Sequence, residues 1–204
     1  MDKLSFASLF FQLVAGFLPL MVIFHFKRKI TIELTLYLLL SFISTLTIMI
    51  LVKLKLSCAL IFDTWHFITI ILLTIFYFRT IELIAFKIIT LILGVLVFTN
   101  SIWEYVAFGY PNNALVIENI SFIIIPILMY LSVIKESDSS MSNSFILINS
   151  SLFIYKTSTF LLFFFLTDLL KNNLWYIHNF IEGLSKLLIA YALWKLPKPT
   201  HSLA

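Results

Sequence analysis

Seven apolar runs, each long enough to cross a bilayer, leave this chain little to fold into except a bundle of membrane helices. A hydrocarbon core about 30 Å thick takes roughly 20 apolar residues per helix, and such windows fall at about 6–26, 31–52, 56–78, 80–107, 114–134, 145–167 and 173–194. The breaks between them, FKRK, KLKLS, FRT, FGYPNN, KESDSSMSNS and DLLKNN, are charged or turn-forming. Only the fifth exceeds a tight helix-to-helix connection, so successive helices are expected as antiparallel neighbours. The expected fold is all-α: one domain over 1–204, a polytopic membrane protein built as a seven-transmembrane-helix bundle.

Composition agrees. The 204 residues are 61% hydrophobic and 12% charged, whereas an ordinary soluble domain is about 25% charged. Four glycines and five prolines leave no room for flexible linkers or low-complexity segments. The net charge of +4 is not a nucleic-acid signature, because no basic cluster is longer than Lys27, Arg28 and Lys29, which lie between two apolar runs. Cys58 is the only cysteine, which excludes a disulfide or a CxxC site within one chain. The first run is longer than a secretory h-region and lacks a small-x-small cleavage site, so it is read as a retained span.

Basic residues near the span ends set orientation. One side holds Lys27, Arg28, Lys29, Arg79, Lys135, Lys195 and Lys198; the other holds Lys3, Lys53, Lys55 and Lys171. This bias predicts the amino terminus outside and the carboxyl terminus in the cytoplasm, with Lys53 and Lys55 as the main contradiction. Trp103, Tyr105, Tyr110, Trp175, Tyr176 and Trp194 fall at span ends, as interfacial aromatics do.

Ionisable residues at membrane depth cost about 2.5–3.5 kcal/mol each on insertion scales, and they normally face the bundle interior and find partners. Counted along the helices, Asp63, His66, Glu118, His178 and Glu182 fall in the outer half, whereas Lys87, Lys156 and Lys186 fall nearer mid-depth. Each lysine can then meet a carboxylate on a neighbouring helix. The expected pairs are Lys186 with Asp63, and Lys156 with Glu182 or Glu118. His178, Glu182 and Lys186 stand at i, i+4 and i+8 and share a helix face, as do Asp63 and His66 at i and i+3. Asn149, Lys156 and Thr159 form a third polar stripe. Stripes on spans three, six and seven could line a polar pocket open to the outside, or could serve only as packing glue. Glu33, Glu82, Glu104 and Asp168 lie near span ends, where headgroup water can solvate them; His25 is read as interfacial and His201 as part of the tail. Pro19 and Pro126 lie within spans, where they kink or shape the bundle.

Other chemistries fit less well. Zinc needs three or four converging ligands, and the HxxxE spacing of His178 and Glu182 replaces the HxxxH of membrane hydrolases. A retinal Schiff base on Lys186 facing Asp63 lacks the flanking arginine and threonine-proline run of such helices. A haem between His66 and His178 has no further support, and no GxGxxG, Walker or nucleophile-elbow pattern is present. Neither a cofactor nor an enzyme activity is expected.

FLPL with its basic turn, His66, the Asn149–Tyr155 stretch, LWYIHNF and the closing AYALWK appear in a familiar order. Through them nearly the whole chain resembles a group of small bacterial seven-span proteins often encoded beside sensor histidine kinases. The resemblance implies a sensory or accessory unit of the bacterial inner membrane that works with a separate kinase. Where that group shows a second asparagine on span seven, this chain has Glu182 and Lys186. Besides a membrane sensor acting on a partner, the chain is open to the roles of a small transporter or proton-coupled carrier, or of a structural membrane subunit.

Overall fold

The computed structural model describes residues 3–26, 30–109, 112–135, 143–165 and 175–196. Those residues form seven helices: α1 (Lys3–His25), α2 (Ile32–Lys53), α3 (Ala59–Thr80), α4 (Ile84–Phe108), α5 (Asn112–Lys135), α6 (Asn143–Phe165) and α7 (Trp175–Lys195). Lys27, Arg28, Lys29, Tyr110, Asp168, Lys171, Lys198 and His201 lie outside the described residues. Helices α1 to α6 are each long and apolar enough to cross a membrane, consistent with a multi-pass membrane protein. The seventh carries His178, Asn179, Glu182, Ser185 and Lys186 through its middle and is the least apolar of the set.

The protein is apolar outside and polar inside. Phe10, Phe17, Phe24, Ile88, Val95 and Ile134 are exposed, whereas Glu33, Glu104, Glu118, Asn149, Lys156, Glu182 and Lys186 are buried. That distribution is the reverse of a water-soluble domain, and it turns the charged side chains toward the bundle interior and away from lipid. Trp103 and Tyr105 are exposed near the end of α4, and Tyr191 and Trp194 near the end of α7, where interfacial aromatics sit.

Side-chain contacts fix the direction of each helix. Glu33 at the start of α2 meets Arg79 at the end of α3. His66 early in α3 meets Ser101 late in α4, Ser132 late in α5 accepts from the backbone amide of Leu83 just before α4, and Tyr130 late in α5 meets Ser150 early in α6. These neighbours are antiparallel. The first and last helices instead run parallel: Ser8 meets Asn179, Phe11 meets Phe180, and Gly16 faces Lys186. The pairing of α1 with α7 closes the bundle. We call the end where α1 begins the upper end.

Two turns at the upper end stop their helices by left-handed backbone. Gly109 caps α4 with φ 77°, a conformation glycine adopts without penalty. Lys55 takes the same role after α2 with φ 58°, and the Leu56 amide bonds back to the Leu51 carbonyl at 2.9 Å, as in a Schellman motif.

The apolar core occupies the lower half. Leu20 and Ile23 of α1, Leu34 and Leu38 of α2, Leu73, Phe76 and Tyr77 of α3, Ile125 and Met129 of α5, Ile148 of α6 and Ile189, Ala192 and Leu193 of α7 form one continuous cluster. On α3, Ile70, Leu73 and Tyr77 recur at the three- and four-residue spacing of a single buried face. The upper half is where polar side chains gather, above this dry plug.

Candidate functional site

Two clusters of the same composition stand in the upper half, each a carboxylate held between a lysine and a histidine. The first joins α3, α5 and α6. Glu118 forms an ion pair with Lys156 through Oε1, while His66 Nδ1 lies 2.6 Å from Oε2. The lysine ammonium also stands 5.3 Å from the Phe122 ring centroid and 5.6 Å from that of Tyr155, within cation–π range. Lys156 thus pairs with Glu118, one of its two expected partners, and not with Glu182.

The Ser101 hydroxyl of α4 lies 2.9 Å from both the Val97 carbonyl and His66 Nε2, so the imidazole is held between α4 and Glu118 of α5.

The second cluster lies along one face of α7. Lys186 Nζ is 2.7 Å from Glu182 Oε1, and His178 Nε2 is 3.7 Å from Oε2. The i, i+4, i+8 spacing therefore produces a chain of contacts within a single helix. The expected partner of Lys186, Asp63, is not one: Asp63 is half-buried near the upper end of α3 and forms no ion pair among the described residues. A carboxylate one turn away on the same helix reaches the amine without any help from a neighbouring helix.

Helices α1 and α2 complete this second cluster. Ser41 donates a hydrogen bond to Glu182 Oε1 at 3.3 Å, and Gln12 hydrogen-bonds the same carboxylate. Gly16 of α1 faces the Lys186 stem, a β-carbon there standing at ordinary contact distance, 3.5 Å from Cδ and 3.7 Å from Nζ. Below the carboxylate, Ser151 of α6 donates to the Ser185 carbonyl at 2.7 Å, and Ser185 donates to the Ser151 carbonyl at 3.2 Å. This reciprocal pair fixes α6 against α7. Tyr155 touches both clusters, its ring centroid 5.6 Å from Lys156 Nζ and 5.9 Å from that of His178, and Tyr37 stacks on Trp65 with ring centroids 5.5 Å apart.

A cavity of about 450 Å³ enters the upper half and ends on Glu182. Its polar floor is Gln12, Ser41, His178, Asn179 and Glu182; Leu9, Ile48, Trp65 and Tyr155 wall it; Ser5, Val52, Cys58 and Phe62 surround it toward the upper end. The pocket expected between spans three, six and seven is therefore built mainly on α1, α2 and α7. Of the seven candidate site residues, His178 and Glu182 line it. Lys186 lies behind Glu182, Asp63 stands outside the lining, and His66, Glu118 and Lys156 form the separate cluster.

Other placements also shift. Lys87 lies in the first turn of α4, near the lower end and not at mid-depth, because that helix begins at Ile84. Glu33 is at a helix end as expected, yet it is buried against Arg79, not solvated. Glu104 is buried as well. Asn149, on the third stripe, donates to the Pro126 carbonyl at 3.1 Å and so ties α6 to the proline turn of α5. Among the described residues no group of three His, Cys, Asp or Glu side chains converges as a metal site.

The serines and threonines of α1 and α2 that line the cavity escape sequence reading because short hydroxyl side chains hardly change hydropathy. The available signal is their spacing: Ser41, Ser44, Thr45 and Ile48 lie on one face of α2. No protein-family model matches the chain, and neither does any curated protein or solved structure.

Proposed function

We propose that the chain is a seven-span protein of the bacterial inner membrane, amino terminus outside, which binds a small molecule in the cavity above Glu182 and reports occupancy to a membrane partner. The observation that carries this reading is the cavity itself: about 450 Å³, within the range of small-ligand sites, ending blindly on a charged floor above an apolar plug. A polar core that served only as packing would be filled by its own side chains.

Support for the seventh crossing is the parallel register of α7 on α1, from Ser8 with Asn179 to Gly16 with Lys186. A helix parallel to the first, after five intervening ones, continues the up-and-down order. Support for the orientation is the position of Lys87, which adds to Arg79 and Lys195 at the lower ends of their helices.

Occupancy would act by moving α7. Glu182 touches α1 and α2 through Gln12 and Ser41, and one turn below, Ser185 is tied to α6. A ligand that takes over contacts of Glu182 changes the balance between packings of α7 against these neighbours. The resemblance to seven-span proteins encoded beside sensor histidine kinases makes a membrane histidine kinase the partner class.

The test replaces Glu182 and Lys186 together with leucine, which removes the cluster without leaving an unpaired charge. The double variant is expected to reach the membrane in normal amounts and to fix the partner's autophosphorylation at one level regardless of signal. Unchanged regulation of the partner would overturn the reading.

A further inference from the structure

The cavity has a charge balance of its own, and from it we infer that the site takes an uncharged amphiphile whose polar end donates a hydrogen bond, such as an alcohol or a primary amide. This rests on the reading of the cavity as a ligand site. Among the described residues Glu182 is the only carboxylate in the lining, and its Oε1 is already engaged by Lys186 at 2.7 Å and Ser41 at 3.3 Å. Lys186, Ser41 and Gln12 take three of the roughly four acceptor sites of this carboxylate, and Oε2, with His178 Nε2 at 3.7 Å, beyond hydrogen-bond length, keeps capacity for one more donor.

A ligand cation would bring a positive charge to a carboxylate whose charge Lys186 already balances, leaving the buried site at +1. A ligand anion would face Glu182 directly, since Lys186 lies behind the carboxylate and not in the lining. Either excess charge is costly beside side chains as buried as Glu182 and Lys186. A neutral donor meets neither penalty and finds acceptors in Oε2, the Asn179 and Gln12 amides and the Ser44 hydroxyl. The remainder of the ligand is apolar, because Leu9, Ile48, Val52, Phe62 and Trp65 line the way to the upper end. Phe62 and Trp65 favour a chain or ring that lies flat against them.

Trp65 supplies the readout. With Trp103, Trp175 and Trp194 replaced by phenylalanine, the full-length protein in lipid nanodiscs reports on the cavity through one indole. Three probes of equal chain length, 1-decanol, decylammonium and decanoate, are titrated at neutral pH, with Ser44→Phe as a blocked cavity and Ile88→Phe on the lipid-facing surface as control. The expected result is a saturable change in Trp65 emission with 1-decanol, at a concentration at least tenfold lower than for either ion. That change is lost in Ser44→Phe and retained in Ile88→Phe. Saturable binding in which decylammonium or decanoate equals or exceeds the alcohol overturns the ligand class and leaves the cavity as a binding site. No saturable change with any probe, in protein that is folded by circular dichroism, overturns both.

Discussion

Gly183 of α7 lies so close to Phe11 of α1 that a β-carbon on the glycine would stand 2.5 Å from Phe11 Cε1. Phe11 in turn packs on Phe180 with ring centroids 5.2 Å apart, so it cannot swing away freely. The α1–α7 seam that closes the bundle therefore depends on a missing side chain, the usual means of close helix approach in lipid. Gly183→Ala is expected to destabilise the protein by about 1–3 kcal/mol, the ordinary cost of overpacking. Gly16→Ala, whose β-carbon would meet Lys186 at 3.5 Å, an ordinary contact distance, is expected to cost well under half as much. Equilibrium unfolding in mixed micelles measures both.

The Lys156–Glu118 pair makes a different prediction. Both side chains are buried, so removing one partner leaves the other as an uncompensated charge. Lys156→Met and Glu118→Gln are each expected to cost about 3–5 kcal/mol, while the double variant recovers most of that loss. A double-mutant cycle on unfolding free energies reads the coupling. Additive losses would show that the two residues contribute independently.

Orientation is testable at the single cysteine. Cys58 caps α3 at the upper end, half-buried, and burial raises its thiol above the usual range. A membrane-impermeant maleimide is expected to label it from the outer face in spheroplasts. Since the thiolate is the reactive form, labelling should be slower at neutral pH than for an exposed cysteine and should accelerate as pH rises through the alkaline range. Labelling only after lysis would reverse the orientation.

Helix order was legible in the sequence because a run of about 20 apolar residues leaves the backbone no alternative to a helix in lipid. The site was legible only in part. Depth counting set Glu118 in the outer half and Lys156 nearer mid-depth, close enough for the pair to be expected, and helical spacing put His178, Glu182 and Lys186 on one face. It did not show that Lys186 would prefer Glu182 on its own helix to Asp63, because partner choice depends on which side chains the neighbouring helices bring close. It also missed α1 and α2, whose contribution is made by Gln12, Gly16, Ser41 and Thr45. Such residues matter through the space they leave and the hydrogen bonds they offer, and neither registers in a hydropathy profile.

Filling the cavity above Glu182 is expected to change the state of a partner, and a ligand can be put there covalently: Ser44→Cys in a Cys58→Ser background, modified with benzyl methanethiosulfonate, with phosphorylation of the copurifying partner measured before and after. Modification is expected to shift the partner to one fixed activity, and reduction of the mixed disulfide to restore regulation. Complete modification of the cysteine with no change in partner phosphorylation would contradict this expectation.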